Sequence, residues 1–332
     1  MIALTVFDGR PAAVSDARPA AVSDGRPAAV SDGRPAAVSD ARLPAVHWRE
    51  FQAAHRRRAD EFLEPHLTRR NAGQSHPVFD FLFTYYSLRP RQLRVWHPGY
   101  GVVLAGAAAQ RYLERTGYTQ LVDGVTVSAD HLHSRLGTVT FIGDLLRATA
   151  SRPARFNCFG LHEWAMVYQS PTVRHEGLPL RLSATATNAV VDSMPLRCSH
   201  FDAYRFFTDA AARQNSAHLT RQSQTATEQP GCVHAGMDLY KWAFKLGPLI
   251  ESGLVLDCLD VAADARVLDM RASPYDLRGF GFEPIAVETP GGRREYTRAQ
   301  EAISGRAAPL RARLLECCDA LVATRLTERH WD

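Results

Sequence analysis

The stretch Cys232-Val-His234-Ala-Gly-Met-Asp238-Leu-Tyr-Lys241-Trp-Ala-Phe-Lys245-Leu246 carries the reading of the fold. It predicts a helix over residues 231–247, on which His234, Asp238, Lys241 and Lys245 stand at i, i+4, i+7 and i+11. Those intervals keep all four on one face about 60° wide. A wet helix face with an Asp-to-Lys pair three apart would show the same spacing. Met237, Tyr240, Trp242, Phe244 and Leu246 nevertheless make the surroundings apolar, which points to substantial burial. A buried His-Asp-Lys row has perturbed proton affinities, as catalytic sites often do. Lys241 and Lys245 are also the only lysines in the chain.

Two earlier segments repeat the grouping of cysteine, histidine and carboxylate: Cys158-Phe-Gly-Leu-His162-Glu163 and Cys198-Ser-His200-Phe-Asp202. The first lies in a helix expected over Cys158–Tyr168. It is not a His-Glu-x-x-His zinc signature, because position 166 is Met. In the second, Ser199 suits a helix cap and Asp202 its first turn. The three segments would converge on one pocket. Mixed nitrogen and oxygen ligands from His162, His200, Asp202, His234 and Asp238 would suit a divalent metal such as zinc, manganese or iron. A metal-free arrangement is equally compatible, with Asp238 or Glu163 as general base, His200 as acid or donor, and Lys241 holding an anionic group. The cysteines read as packing residues.

Outward from these segments the pattern is helical. A surface helix is expected over His47–Arg70 and a buried one over Pro77–Tyr86, where Asp80 is either a site member or a structural hydrogen-bonding group. Asp123-Gly124 marks a hairpin within Tyr118–Val127. One helix follows from Ser128 and another covers Phe141–Thr149. Leu178–Cys198 alternates enough for two or three short strands. Helices resume over 199–208, 252–270 and 293–327. The fold class is mainly α with small β hairpins (α+β), a single helical domain over 46–332. Residues 1–45 form a disordered tail, built on the octapeptide [Gly/Ala]-Arg-Pro-Ala-Ala-Val-Ser-Asp, whose regular proline blocks a long helix.

Composition is that of an ordinary globular protein, 45% hydrophobic and 22% charged in 332 residues. No apolar run approaches membrane-spanning length and no signal-peptide layout appears, so a cytoplasmic location is expected. Six cysteines without a C-x-x-C pair argue against zinc ribbons and thioredoxin-type motifs. A net charge of +4 permits nucleic-acid contact without requiring it.

Four segments carry a family resemblance: His76–Tyr86, Cys158–Tyr168, Arg197–Phe207 and Asp238–Leu246. They resemble a bacterial family that bears the label 3-methyladenine DNA glycosylase, over about residue 46 to the end. The resemblance implies hydrolysis of an N-glycosidic bond to alkylated purines in DNA, in base-excision repair. Glu163 or Asp238 would then assist water or stabilise positive charge. His162, His200, Lys241 and Lys245 would position substrate or phosphate, and Tyr85, Tyr86, Trp164 and Tyr240 would offer faces for a flipped base. Trp96-His-Pro-Gly-Tyr-Gly-Val-Val103 loosely resembles the hairpin of helix-hairpin-helix glycosylases. The carboxylates at the matching distance, Asp123 and Asp130, read more simply as a turn and a helix start. Two other functions fit the same residues: a metal-dependent enzyme acting on a small-molecule substrate, and a helical binding protein in which the pairs are structural.

Overall fold

Among the described residues the chain enters through β1 (Ala41–Leu43), which pairs in parallel with β2 (Val102–Leu104). The computed structural model describes residues 41–86, 89–172 and 177–328. The octapeptide repeats over 9–40 lie outside them. Residues 41–43 had read as tail but form an edge strand, because Ala105 N–H donates to Leu43 O at 3.0 Å and β2 supplies the pairing. β3 (Tyr118–Leu121) and β4 (Gly124–Val127) make the expected hairpin about Asp123, and the sheet order is β1-β2-β4-β3. Trp48, Trp96, Leu104, Tyr112 and Val125 fill a small core beneath it.

The rest is helical. α1 (Ala45–Asn71) is followed after the sheet by α2 (Ala129–Ala150), α3 (Leu161–Ala165), α4 (Ala184–Asp192) and α5 (Phe201–Tyr204). Then come α6 (Val233–Leu246), α7 (Ser252–Arg271) and α8 (Pro290–Glu328). α7 is buried along most of its length and packs against α6 and α8, and α8 packs along α2. The main core gathers residues from all of these helices except α5, including Leu132, Ile142, Trp164, Met237, Tyr240, Leu259 and Leu314. No helix among the described residues is long and apolar enough to cross a membrane.

Several local expectations are corrected. Leu178–Cys198 is not a set of strands: Ser183 caps α4 by accepting from Ala186 N–H at 3.2 Å, and the cap outweighs the β-branched content. Extended pairing survives only as single bridges, Leu180 with Tyr275 and Leu196 with Asn215. The two helices expected after Ser128 are one, since lone Gly137 does not interrupt α2. Pro77–Tyr86 forms turns and a short helix at Phe81–Thr84 instead of one long helix. There His76 Nδ1 accepts from the Val78 and Phe79 N–H groups, and Asp80 accepts from His76 N–H. Side-chain acceptors thus take donors that a regular helix would use. The glycine hairpin at 96–103 does not lie between two helices. It leads into β2 and packs on the start of α7, where Ser252 N–H donates to His97 O.

Candidate active site

The site forms where the short helices α3 and α5 abut the long pair α6 and α7. α3 supplies His162 and Glu163, and α7 supplies Arg266 and Asp269. Phe159 and Gly160 have φ of 49° and 69°, so the expected helix over 158–168 begins only at Leu161. A Cβ at Gly160 would stand 3.2 Å from Ala272 Cβ and 3.3 Å from Tyr296. Glycine therefore lets the loop close onto the end of α7. Trp164 Nε1 then donates to Ala272 O at 2.9 Å and pins α3 there.

Two three-residue groups result. In the first, His162 Nε2 lies 2.6 Å from Asp269 Oδ1 and His234 Nε2 lies 3.9 Å from Asp269 Oδ2. All three potential ligand atoms fall within 4.8 Å of one another. Arg266 Nη1 bridges Asp269 Oδ2 at 3.0 Å and Glu163 Oε1 at 3.1 Å, and its guanidinium lies 4.0 Å from the centre of the Phe81 ring. In the second group His200, Asp202 and Asp238 converge. Lys241 Nζ donates to Asp202 and Asp238 at 2.8 Å each, and Tyr86 OH donates to Asp238 at 3.0 Å. His200 faces Glu228 at 3.1 Å and Asp238 at 3.6 Å. The histidines join the groups: His234 meets His162 edge-on at 4.4 Å between ring centres and stacks on His200 at 5.4 Å.

Burial sets the electrostatics, and specific partners then decide each charge. Burial opposes protonation of His162, but the Asp269 and Glu163 charges outweigh it and raise its pKa. His200 is raised in the same way by Glu228 and Asp238. His234, buried and facing those two imidazoles, is held well below its ordinary value and stays neutral. Burial likewise opposes the charge on Asp202, which Lys241 and then His200 and Arg205 hold below the usual carboxylate range. Lys241 is raised against burial by Asp238 and Asp202.

Two clefts meet this network, and His234 lines both. One, about 340 Å³ with its solvent-filled mouth, is lined by Phe81, Tyr85, Glu163, Met166, Asp202, Phe206 and Arg266 among others. Tyr85 stacks on Phe81 at 4.6 Å between ring centres and receives Arg205 on its hydroxyl. Arg205 and Arg221, both exposed, reach Asp202 from outside at 3.2 and 3.4 Å. The other cleft, about 410 Å³, is lined by Cys158, Cys198 and Cys232 together with His162 and His234. The three cysteines do converge. Burial nevertheless pushes all three thiols up, Cys198 to about 12, so they stay protonated at neutral pH.

The fold therefore brings His162, Glu163, His200, Asp202, His234, Asp238 and Lys241 together. It splits the expected metal-ligand set of His162, His200, Asp202, His234 and Asp238 into two groups and adds Asp269. Tyr86 joins through Asp238 and Tyr85 through the cleft wall. Trp164 and Tyr240 are fully buried in the core and line neither cleft. Lys245 is exposed beside Trp242. Asp80 lies in a separate knot with His66, Arg69 and the His76 backbone. Asp123 is the hairpin turn and Asp130 the first turn of α2. Sequence reading missed Arg266, Asp269 and Glu228. For Arg266 and Asp269 the available signal was a pair of opposite charges three apart on a mostly buried helix, which the other charges of that helix (Asp257, Asp260, Asp264, Arg271) made indistinct; Glu228 offered none.

No protein-family model, curated protein or solved structure matches this chain.

Proposed function

We propose that this chain hydrolyses the N-glycosidic bond of alkylated purine bases in DNA. The observation that carries the reading is the aromatic-walled cleft, in which Phe81, Tyr85 and Phe206 surround the carboxylates Glu163 and Asp202. Aromatic faces suit a flat base taken out of the stack, and carboxylates suit the positive charge that an alkylated purine carries. Exposed Arg205 and Arg221 at the mouth supply cations for flanking phosphates. The four segments that resemble alkylpurine glycosylases lie in or next to this cleft.

Glu163 is the carboxylate assigned to the reacting centre, oriented by Arg266. The C1′–N bond breaks with its electron pair going to the purine, whose positive charge is thereby neutralised. A water oxygen bonds to C1′, and its proton passes to Glu163. Asp238, His200 and Lys241 stand behind Asp202 and hold it in position. The test is release of free 3-methyladenine from methylated duplex DNA by the full chain at low salt. Wild-type protein is expected to release the base, and Glu163→Gln to lose about 100-fold or more in rate, the scale of a positioned acid-base group. No base release by wild type overturns the reading.

A further inference from the structure

We infer that His162, His234 and Asp269 form a binding site for one divalent transition-metal ion, and this stands independently of which bond the protein cleaves. The three residues come from α3, α6 and α7, and their ligand atoms lie within 4.8 Å of one another. His162 and Asp269 are 6% and 0% exposed. His162 Nε2 and Asp269 Oδ1 form a buried ion pair at 2.6 Å. A buried imidazole and carboxylate held in contact, with the His234 imidazole beside them, are donors that a cation can bridge once the imidazole proton leaves. A metal ion about 2 Å from each would do so.

The second group fixes the choice between the two sites. Its carboxylates Asp202 and Asp238 already hold the Lys241 ammonium at 2.8 Å each, so a cation of the protein's own sits where a metal would. The first group has no lysine. Its one bridging cation among the described residues is Arg266, shared between Asp269 and Glu163. Arg266 contacts Asp269 through Oδ2, whereas Oδ1 faces His162, itself one of the three ligands. An outer partner such as Arg266 orients a ligating carboxylate. Two imidazoles and one carboxylate suit zinc, iron(II) or manganese, with coordination positions left over. Those positions would face the clefts, both of which His234 lines.

Cobalt(II) reads this site without reference to any activity. The purified full chain, stripped with chelator and dialysed, is titrated with cobalt(II) and followed in the visible region, with zinc(II) as competitor. One equivalent is expected to bind, to give ligand-field bands, and to be displaced by zinc. His234→Gln and Asp269→Asn are each expected to weaken binding at least 100-fold, whereas Asp202→Asn binds as wild type does. Absence of a stoichiometric cobalt spectrum in the wild-type chain overturns the assignment, whatever the variants do. So does a spectrum unchanged in folded His234→Gln, or one lost in folded Asp202→Asn.

Discussion

Asp80 shows how a single carboxylate can look functional in sequence and be structural in the fold. Burial opposes its charge, but hydrogen bonds from Arg69, His66 and the His76 N–H prevail and hold its pKa below the ordinary value. A depressed folded pKa means that the stabilisation is complete above the unfolded value near pH 4. It is lost as the pH falls through the lower, folded value. Asp80→Asn is expected to cost about 2 kcal/mol at pH 7, the scale of hydrogen bonds to a charged group. The gap from wild type should narrow as the pH falls below the unfolded value and through the lower, folded one, as urea unfolding at a series of pH values would show. Gly160 is the other residue whose role is local. Alanine there would hold a left-handed φ at a cost of about 1–2 kcal/mol and press on Ala272 and Tyr296. A lowered melting temperature together with reduced base release is expected, because the strain falls on the loop that positions Glu163.

At the scale of the element, α6 is the case where spacing was most informative. His234, Asp238 and Lys241 do share a buried face, and each meets a partner from another segment, Asp269 of α7, His200 just before α5 and Asp202 of α5. The row fades at exposed Lys245, which turns to solvent although its neighbours Ala243 and Leu246 remain in the core. Removing one member of a buried ion cluster leaves the others uncompensated. Lys241→Met is therefore expected to destabilise by about 3–5 kcal/mol. The double variant Lys241→Met/Asp238→Leu should lose less than the single one, because it removes a carboxylate along with its cation. Chemical denaturation of both variants measures the difference. α4 gives the opposite lesson. The alternation in Leu178–Cys198 imitates strands, but an isolated segment has no sheet to join, and a Ser183 cap commits it to helix.

At the scale of the whole molecule, the proposed reading makes any affinity for DNA depend on the exposed Arg205 and Arg221, which reach Asp202 from outside. If Arg205 and Arg221 each meet one phosphate, the slope of log affinity against log salt should fall by about 2 in the double glutamine variant. Fluorescence anisotropy over a salt series reads this directly, and an unchanged slope removes both residues from the interface. By itself the sequence determined the helical class, the hairpin at Asp123-Gly124, the long helices α6, α7 and α8, and seven of the residues that gather at the site. Those features follow from periodicity, turn chemistry and the clustering of titratable side chains within short segments, all of which are local. Only the tertiary structure decided that Arg266 and Asp269 complete the site, that Lys241 closes one carboxylate pair, and that Trp164 and Tyr240 belong to the core. Asp269 lies more than a hundred residues from His162 in the chain. Their pairing is set by how α3 docks on the end of α7, a long-range packing choice that no local pattern encodes.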